Sequence, residues 1–260
     1  MAGSTFYKLG RMAGRQVRKA RWMWESVAGN EAGAIQAEQA VGRDMAAVVL
    51  EETPRDSDRT TQALLDEIGE KLATVVQNRL HRFHTTRIET DRPTAFALPG
   101  GFIFVTRALV DLCDRNNDAI AFVLAHEMAH VIRRHAIERL LQQKVVSAIA
   151  LVSPGRGALA SWIRKVGFQG LERAYARDEE FEADELGVLL MRAAGFDPAG
   201  AIRTLQCLGD LDRTRDSRGL SYYLSTHPPI EERVRRLRRL AADSALSTAL
   251  PPAESTGLRR

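Results

Sequence analysis

Residues 121–140 read AFVLAHEMAHVIRRHAIERL. His126 and His130 stand four apart, with Glu127 beside the first, inside an otherwise apolar run. A helix advances about 100° per residue, so positions i and i+4 lie on one face and can share a metal ion. An apolar helix does not accept two imidazoles and a carboxylate without compensating partners, because each loses its water on burial. The arrangement H-E-x-x-H therefore reads as two zinc ligands, His126 and His130, with Glu127 as a general base near the metal rather than on it. The uncharged flanks, Ala121 to Ala125 and Met128, Ala129, Val131 and Ile132, fit this reading.

A catalytic zinc takes three protein ligands and keeps one position open. The third must come from elsewhere, and RDEEFEADELG (177–187) is the place to look. Glu180 and Asp184 are again four apart on an expected helix. One could bind the metal while the other accepts the outer N–H of a ligand histidine and fixes its tautomer. Glu179, Glu182 and Glu185 crowd the same stretch, and spacing alone does not choose among these carboxylates.

The whole chain has 260 residues, 45% hydrophobic and 27% charged, with a formal net charge of +4. That is ordinary for a globular protein with a sizeable core, and the charge is too small to imply nucleic acid. The basic run RVRRLRRL (233–240) is diluted by Glu231 and Glu232 and has no interleaved aromatics, so it reads as a solvated helix face. Cys113 and Cys207 form no C-x-x-C and read as buried small hydrophobes in a reducing compartment. No apolar stretch approaches the roughly 20 residues of a membrane span, and no secretory h-region is present. A cytoplasmic location is expected.

Residues 1–24 hold six basic and no acidic residues, with Phe6, Leu9, Ala13, Val17, Ala20 and Trp24 at helical spacing. This basic amphipathic helix is expected to pack on the domain. Peripheral membrane contact or organelle targeting is the less favoured alternative.

Along the chain the expected organisation is a helical N-terminal extension (1–52), a linker (53–61), a catalytic domain (62–245) and a disordered tail (246–260). Leu64, Leu65, Ile68, Leu72, Val75, Val76 and Leu80 suggest one helix face. Short β-type runs and the turn PGG (99–101) mark two or three strands, with Phe102 to Val105 the clearest. The metal helix should begin near Asn117 and continue through ERLLQQKVVSAIALV. The fold class is α+β, mostly α, with a small sheet and an active-site helix.

Four stretches carry a resemblance: PTAFALPGGFIFVT (93–106), AFVLAHEMAHVIRRH (121–135), ARDEEFEADELG (176–187) and STHPPIEERV (225–234). In order and spacing the chain resembles the zinc metallopeptidase family of the CAAX prenyl endopeptidases, HtpX-type and BepA-type proteases, peptidase family M48. The resemblance covers roughly residues 60–240. It implies a zincin-like domain of the gluzincin kind. The family's R-x-x-E-x-x-A-D falls on Arg177, Glu180, Ala183 and Asp184, so the resemblance selects Glu180 as third ligand, with Asp184 and Arg177 behind the metal. The family's His-Pro falls on His227 and Pro228, and its arginine on Arg233. His227 is thereby expected to contact the zinc or the developing oxyanion. His135 also occurs in the family pattern, off the ligand face, where a structural hydrogen bond is expected. Thr94 and Ala176 depart from the family's usual Asn and Ser; neither is a ligand.

Together these readings predict a zinc metalloendopeptidase with one Zn²⁺ per chain. It would hydrolyse extended or unfolded polypeptides through a zinc-activated water and Glu127 as base. Substrate would add as a strand to Phe102, Ile103, Phe104 and Val105, taken as a sheet edge. The resemblance also implies a role in protein quality control. A latched, zinc-bound chaperone or scaffold is the alternative.

Overall fold

The computed structural model describes residues 31–142, 175–213 and 229–249. The basic stretch of residues 1–24 and the His227-Pro228 pair lie outside these residues.

Helix α1 (Glu31–Glu52) comes first, then α2 (Arg59–Thr74). Asp58 caps α2, its carboxylate accepting the Thr61 N–H at 3.1 Å. The apolar stripe in the sequence suggested a helix reaching Leu80, but α2 ends at Thr74 and Leu80 is 44% exposed. The Asn78 side chain accepts the Leu80 N–H at 3.0 Å, a local turn that competes with helix continuation.

Strands β1 (His84–Ile88), β2 (Ala95–Leu98) and β3 (Phe102–Thr106) form one sheet in the order β1-β3-β2. β3 runs parallel to β1 and antiparallel to β2, joined to β2 by a 3₁₀ turn at Pro99–Gly101. The sequence expectation that Phe102 to Val105 is an edge is therefore corrected: it is the central strand. Side chains alternate along it. Ile103 and Val105 join one core, and Phe104 joins the other. An unbroken apolar run is what a strand buried on both faces requires, and the same run was mistaken for an edge.

The outer side of β1 is also taken. Arg55 bridges Ile88, the Asp56 N–H donates to Arg87 O (3.1 Å), and the Glu89 N–H donates to Pro54 O (3.0 Å). The buried Arg87 guanidinium pairs with Asp56. The stretch read as a linker is thus pinned along the sheet. Among the described residues β2 is the remaining edge strand.

α1 packs on the sheet face that carries Phe96, Leu98 and Phe104, through Met45, Val48 and Val49. The approach is close: a Cβ on Gly42 would stand 1.7 Å from Pro99 O. Read as an extension, α1 is packed into the second core.

The opposite face supports the helices that build the site. After α3 (Arg107–Leu112), Asn116 caps α4 (Asn117–Ile132), and every residue from Ala119 to Val131 is buried. A continuous helix through residues 135–152 was expected. Instead α4 stops at Ile132, Arg134 adopts φ +63°, and α5 (His135–Gln142) begins as a separate helix. α6 (Arg177–Ala193) lies against α4. α7 (Ala199–Arg213) and α8 (Ile230–Ala249) complete the bundle. α8 runs to Ala249, four residues into the segment read as a disordered tail. Cys113 is buried as expected, with burial and the nearby Cys207 pushing its thiol up to about 12, but Cys207 is exposed. Among the described residues no helix is long and apolar enough to cross a membrane.

Candidate metal centre

α4 and α6 meet where Gly187 lacks a side chain; a Cβ there would sit 3.2 Å from the His126 backbone N. That close approach, with Ala183 and Ala129 fully buried, lets α6 lay its acidic face over the α4 histidines. Glu180 and Asp184, one turn apart, both reach them.

Three donors converge. His126 Nε2 and His130 Nε2 are 3.2 Å apart. Glu180 places one oxygen 3.6 Å from His126 Nε2 and the other 3.4 Å from His130 Nε2. Two ligands on a tetrahedral ion with bonds of about 2.0–2.1 Å stand about 3.3–3.4 Å apart. The three observed separations bracket that value, and all three residues are buried. The donor set thus fits a divalent metal, and the structure brings together the His126, His130 and Glu180 expected from the sequence.

The surroundings of the rings fit the same conclusion. His126 Nδ1 lies 3.0 Å from Asp184 Oδ1, which favours a hydrogen on Nδ1 and, in the neutral ring, leaves the Nε2 lone pair to face the centre. Burial alone would lower the His126 pKa. The Asp184 hydrogen bond and the Glu180 charge outweigh it, and the pKa is raised. At His130 burial dominates: it outweighs the Glu180 hydrogen bond and charge and, with His126 and His135 nearby, pushes the ring down to about 3.

Asp184 is itself held from behind. Arg233, on α8 and 1% exposed, donates two hydrogen bonds to it, Nε to Oδ2 at 2.8 Å and Nη2 to Oδ1 at 2.7 Å. Burial raises the Asp184 pKa, yet the Arg233 charge and hydrogen bonds win and hold it low. A carboxylate between a guanidinium and a ligand histidine is the usual device for orienting a metal ligand.

Other expected residues fall as follows. Glu127 is buried on α4, one residue beyond His126. Arg177, assigned a place behind the metal, stands at the start of α6 with its side chain 61% exposed and 3.7 Å from Glu232. That assignment is corrected. Arg177 lies on the outward side of the first turn of α6, opposite the buried Glu180, and Arg233 is the arginine that holds Asp184. Phe102 to Val105 lie in the sheet centre and offer no free backbone edge.

One contact, that of Tyr175, was not read from the sequence, and the hydrogen bond expected of His135 has a partner the sequence did not name. Tyr175 stacks on His130, with ring centroids 3.8 Å apart and planes 15° off parallel. His135 Nδ1 lies 3.0 Å from His130 Nδ1. Tyr175 precedes the acidic helix by two residues, and no periodicity rule singles out an aromatic there.

A mostly helical domain with a small sheet, two helix-borne histidines and a glutamate from a crossing helix defines a metallopeptidase. The profile described as Peptidase family M48 matches residues 59–241, and the chain belongs to that family. The chain is similar to the mitochondrial metalloendopeptidase OMA1 of Saccharomyces cerevisiae, 34% identical over 60% of this chain and 46% of that protein. It is 29% identical to the beta-barrel assembly-enhancing protease of Escherichia coli, over 72% of this chain and 40% of that protein. It is 25% identical to the metalloprotease YcaL of Escherichia coli, over 70% and 74% respectively. The chain spans less than half the length of the first two relatives.

Proposed function

We propose that this chain is a zinc-dependent endopeptidase that cleaves extended or unfolded polypeptide. The observation that carries this reading is the spacing of the donors, 3.2, 3.4 and 3.6 Å, around a common centre. A nitrogen-rich set with one carboxylate suits zinc better than magnesium or calcium.

Zinc, when bound, supplies the Lewis acidity that polarises the scissile carbonyl and activates water. The chain's own residues do the rest. His126, His130 and Glu180 hold the ion. Asp184 and Arg233 keep His126 in the tautomer that leaves Nε2 bare. Glu127 takes the proton from the attacking water and delivers it to the departing amine. His227 contributes at the open position or to the oxyanion. The β2 edge, Ala95–Leu98, is the strand on which a substrate segment would pair through its backbone. Main-chain pairing reads side chains weakly, which supports broad specificity for unfolded chains.

Glu127→Gln tests the assignment. It should abolish cleavage of casein while one zinc per chain stays bound, measured by elemental analysis. Loss of zinc in that variant would make Glu127 a ligand, and undiminished cleavage would remove it from the chemistry.

A further inference from the structure

The two ligand histidines are held by different chemistry. His126 turns its outer nitrogen, Nδ1, to a carboxylate, Asp184, at 3.0 Å. His130 faces another imidazole: its Nδ1 is 3.0 Å from His135 Nδ1, and His135 is 5% exposed. A neutral imidazole has one ring hydrogen. His130 Nε2 points at His126 and Glu180, so in the ligand form it is bare and the hydrogen sits on Nδ1. His135 Nδ1 can accept that hydrogen only if it is bare too. The His135 hydrogen is then on Nε2, the side where Glu182 Oε2 stands 3.7 Å away.

His135 could not be there on a continuous helix, where a residue five positions on points away from His130. The left-handed Arg134 at φ +63° folds the chain back. That conformation is uncommon for a residue with a side chain. Here it is secured by Glu38 of α1, 6% exposed, which accepts from Arg134 Nε at 2.7 Å. Tyr175 covers the His130 ring at 3.8 Å and limits its rotation.

We propose that His135 is a positioning residue for the metal centre: a neutral acceptor that fixes the tautomer and rotation of His130 without adding a charge. Glu38 and Arg134 deliver it, which makes α1 part of the machinery that orients a ligand. The charge pattern gives the arrangement a purpose. Glu127, Glu180 and Asp184 already bring three buried carboxylates to the centre, with Arg233 paired to Asp184. A further carboxylate behind His130 would neutralise more of the ion's charge and weaken its pull on a carbonyl. An imidazole orients the ligand at no such cost.

This inference rests on the zinc reading above, and the experiment separates the two. Zinc affinity is measured by competition with a chromophoric chelator for the full chain, for His135→Leu and for His135→Gln. Leu removes the acceptor; Gln restores one as an amide oxygen. Leu should weaken zinc binding about 10- to 100-fold, the usual effect of losing a ligand's hydrogen-bond partner, and Gln should recover most of it. Nitrogen-15 NMR of the zinc-loaded parent chain reads the ring tautomers without any substitution. It should show the hydrogen on Nδ1 of His130 and on Nε2 of His135. A parent chain that binds no zinc overturns the zinc reading and this inference with it. A zinc-binding parent whose Leu variant binds equally well, or whose Leu and Gln variants are equally weakened, overturns only the role of His135. So does a hydrogen on His135 Nδ1, which decides the question even if the Leu variant does not fold.

Discussion

Replacing Arg233 with methionine tests how the site is held together. Arg233 is 1% exposed and Asp184 2% exposed, with two hydrogen bonds of 2.7 and 2.8 Å between them. Methionine keeps most of the apolar stem and removes the guanidinium. What remains is a carboxylate buried between helices, with His126 Nδ1 at 3.0 Å as its polar neighbour among the described residues. Breaking a buried pair from one side costs about 3–5 kcal/mol, mostly the penalty of the orphaned charge. For a domain of this size each kcal/mol moves the melting temperature by about 2–4 °C, so a fall of roughly 6–20 °C is expected. The assay is urea unfolding of the zinc-free chain with a double-mutant cycle. Asp184→Asn removes the charge that Arg233→Met orphans, so the double variant should be destabilised by clearly less than the sum. Arg203 supplies the internal control. Its pair with Asp118 is 3.5 Å long, with side chains 46% and 29% exposed, and Arg203→Met should cost no more than about 1 kcal/mol. A cost below about 1 kcal/mol for Arg233→Met, or strict additivity in the cycle, would refute the argument that Arg233 acts by neutralising Asp184.

Three further outcomes are expected. Asp184→Asn should weaken zinc binding by about 10- to 100-fold in a chelator competition, since the ligand His126 loses its anionic partner. An unchanged dissociation constant would leave Asp184 with a purely structural part. Gly42→Ala should destabilise the chain by more than 1 kcal/mol in thermal unfolding, because the new methyl would stand 1.7 Å from Pro99 O, between two backbones that cannot both stay in place. A melting temperature equal to the parent's would mean that α1 docks differently. His227→Ala should retain zinc, with three ligands remaining, and change the turnover of a fluorogenic peptide; identical kcat and KM would exclude the histidine from the reaction.

Local pattern was enough for the parts of this protein that are local. His126 and His130 are on one face of α4 because they are four residues apart, and Asn116 and Asp58 cap helices because their side chains reach the next turn. The apolar setting of H-E-x-x-H announced a buried helix with a polar task. Glu180 came from the family resemblance, since six acidic side chains in one stretch cannot be ranked by spacing. Tertiary packing decided the rest. Strand order depends on pairing between segments distant in sequence, and an all-apolar strand looks alike at an edge or in the centre until both its faces are seen covered. Arg177 and Arg233 are both arginines of the resembling pattern. Only the crossing of α8 over α6 sinks Arg233 onto Asp184 and leaves Arg177 in water. His135 was read as off the ligand face, which is true of a straight helix. One left-handed residue, held by a glutamate 96 positions earlier in the chain, turned it back onto the ligand it supports. Periodicity carries no information about such a reversal, because the stabilising contact is non-local.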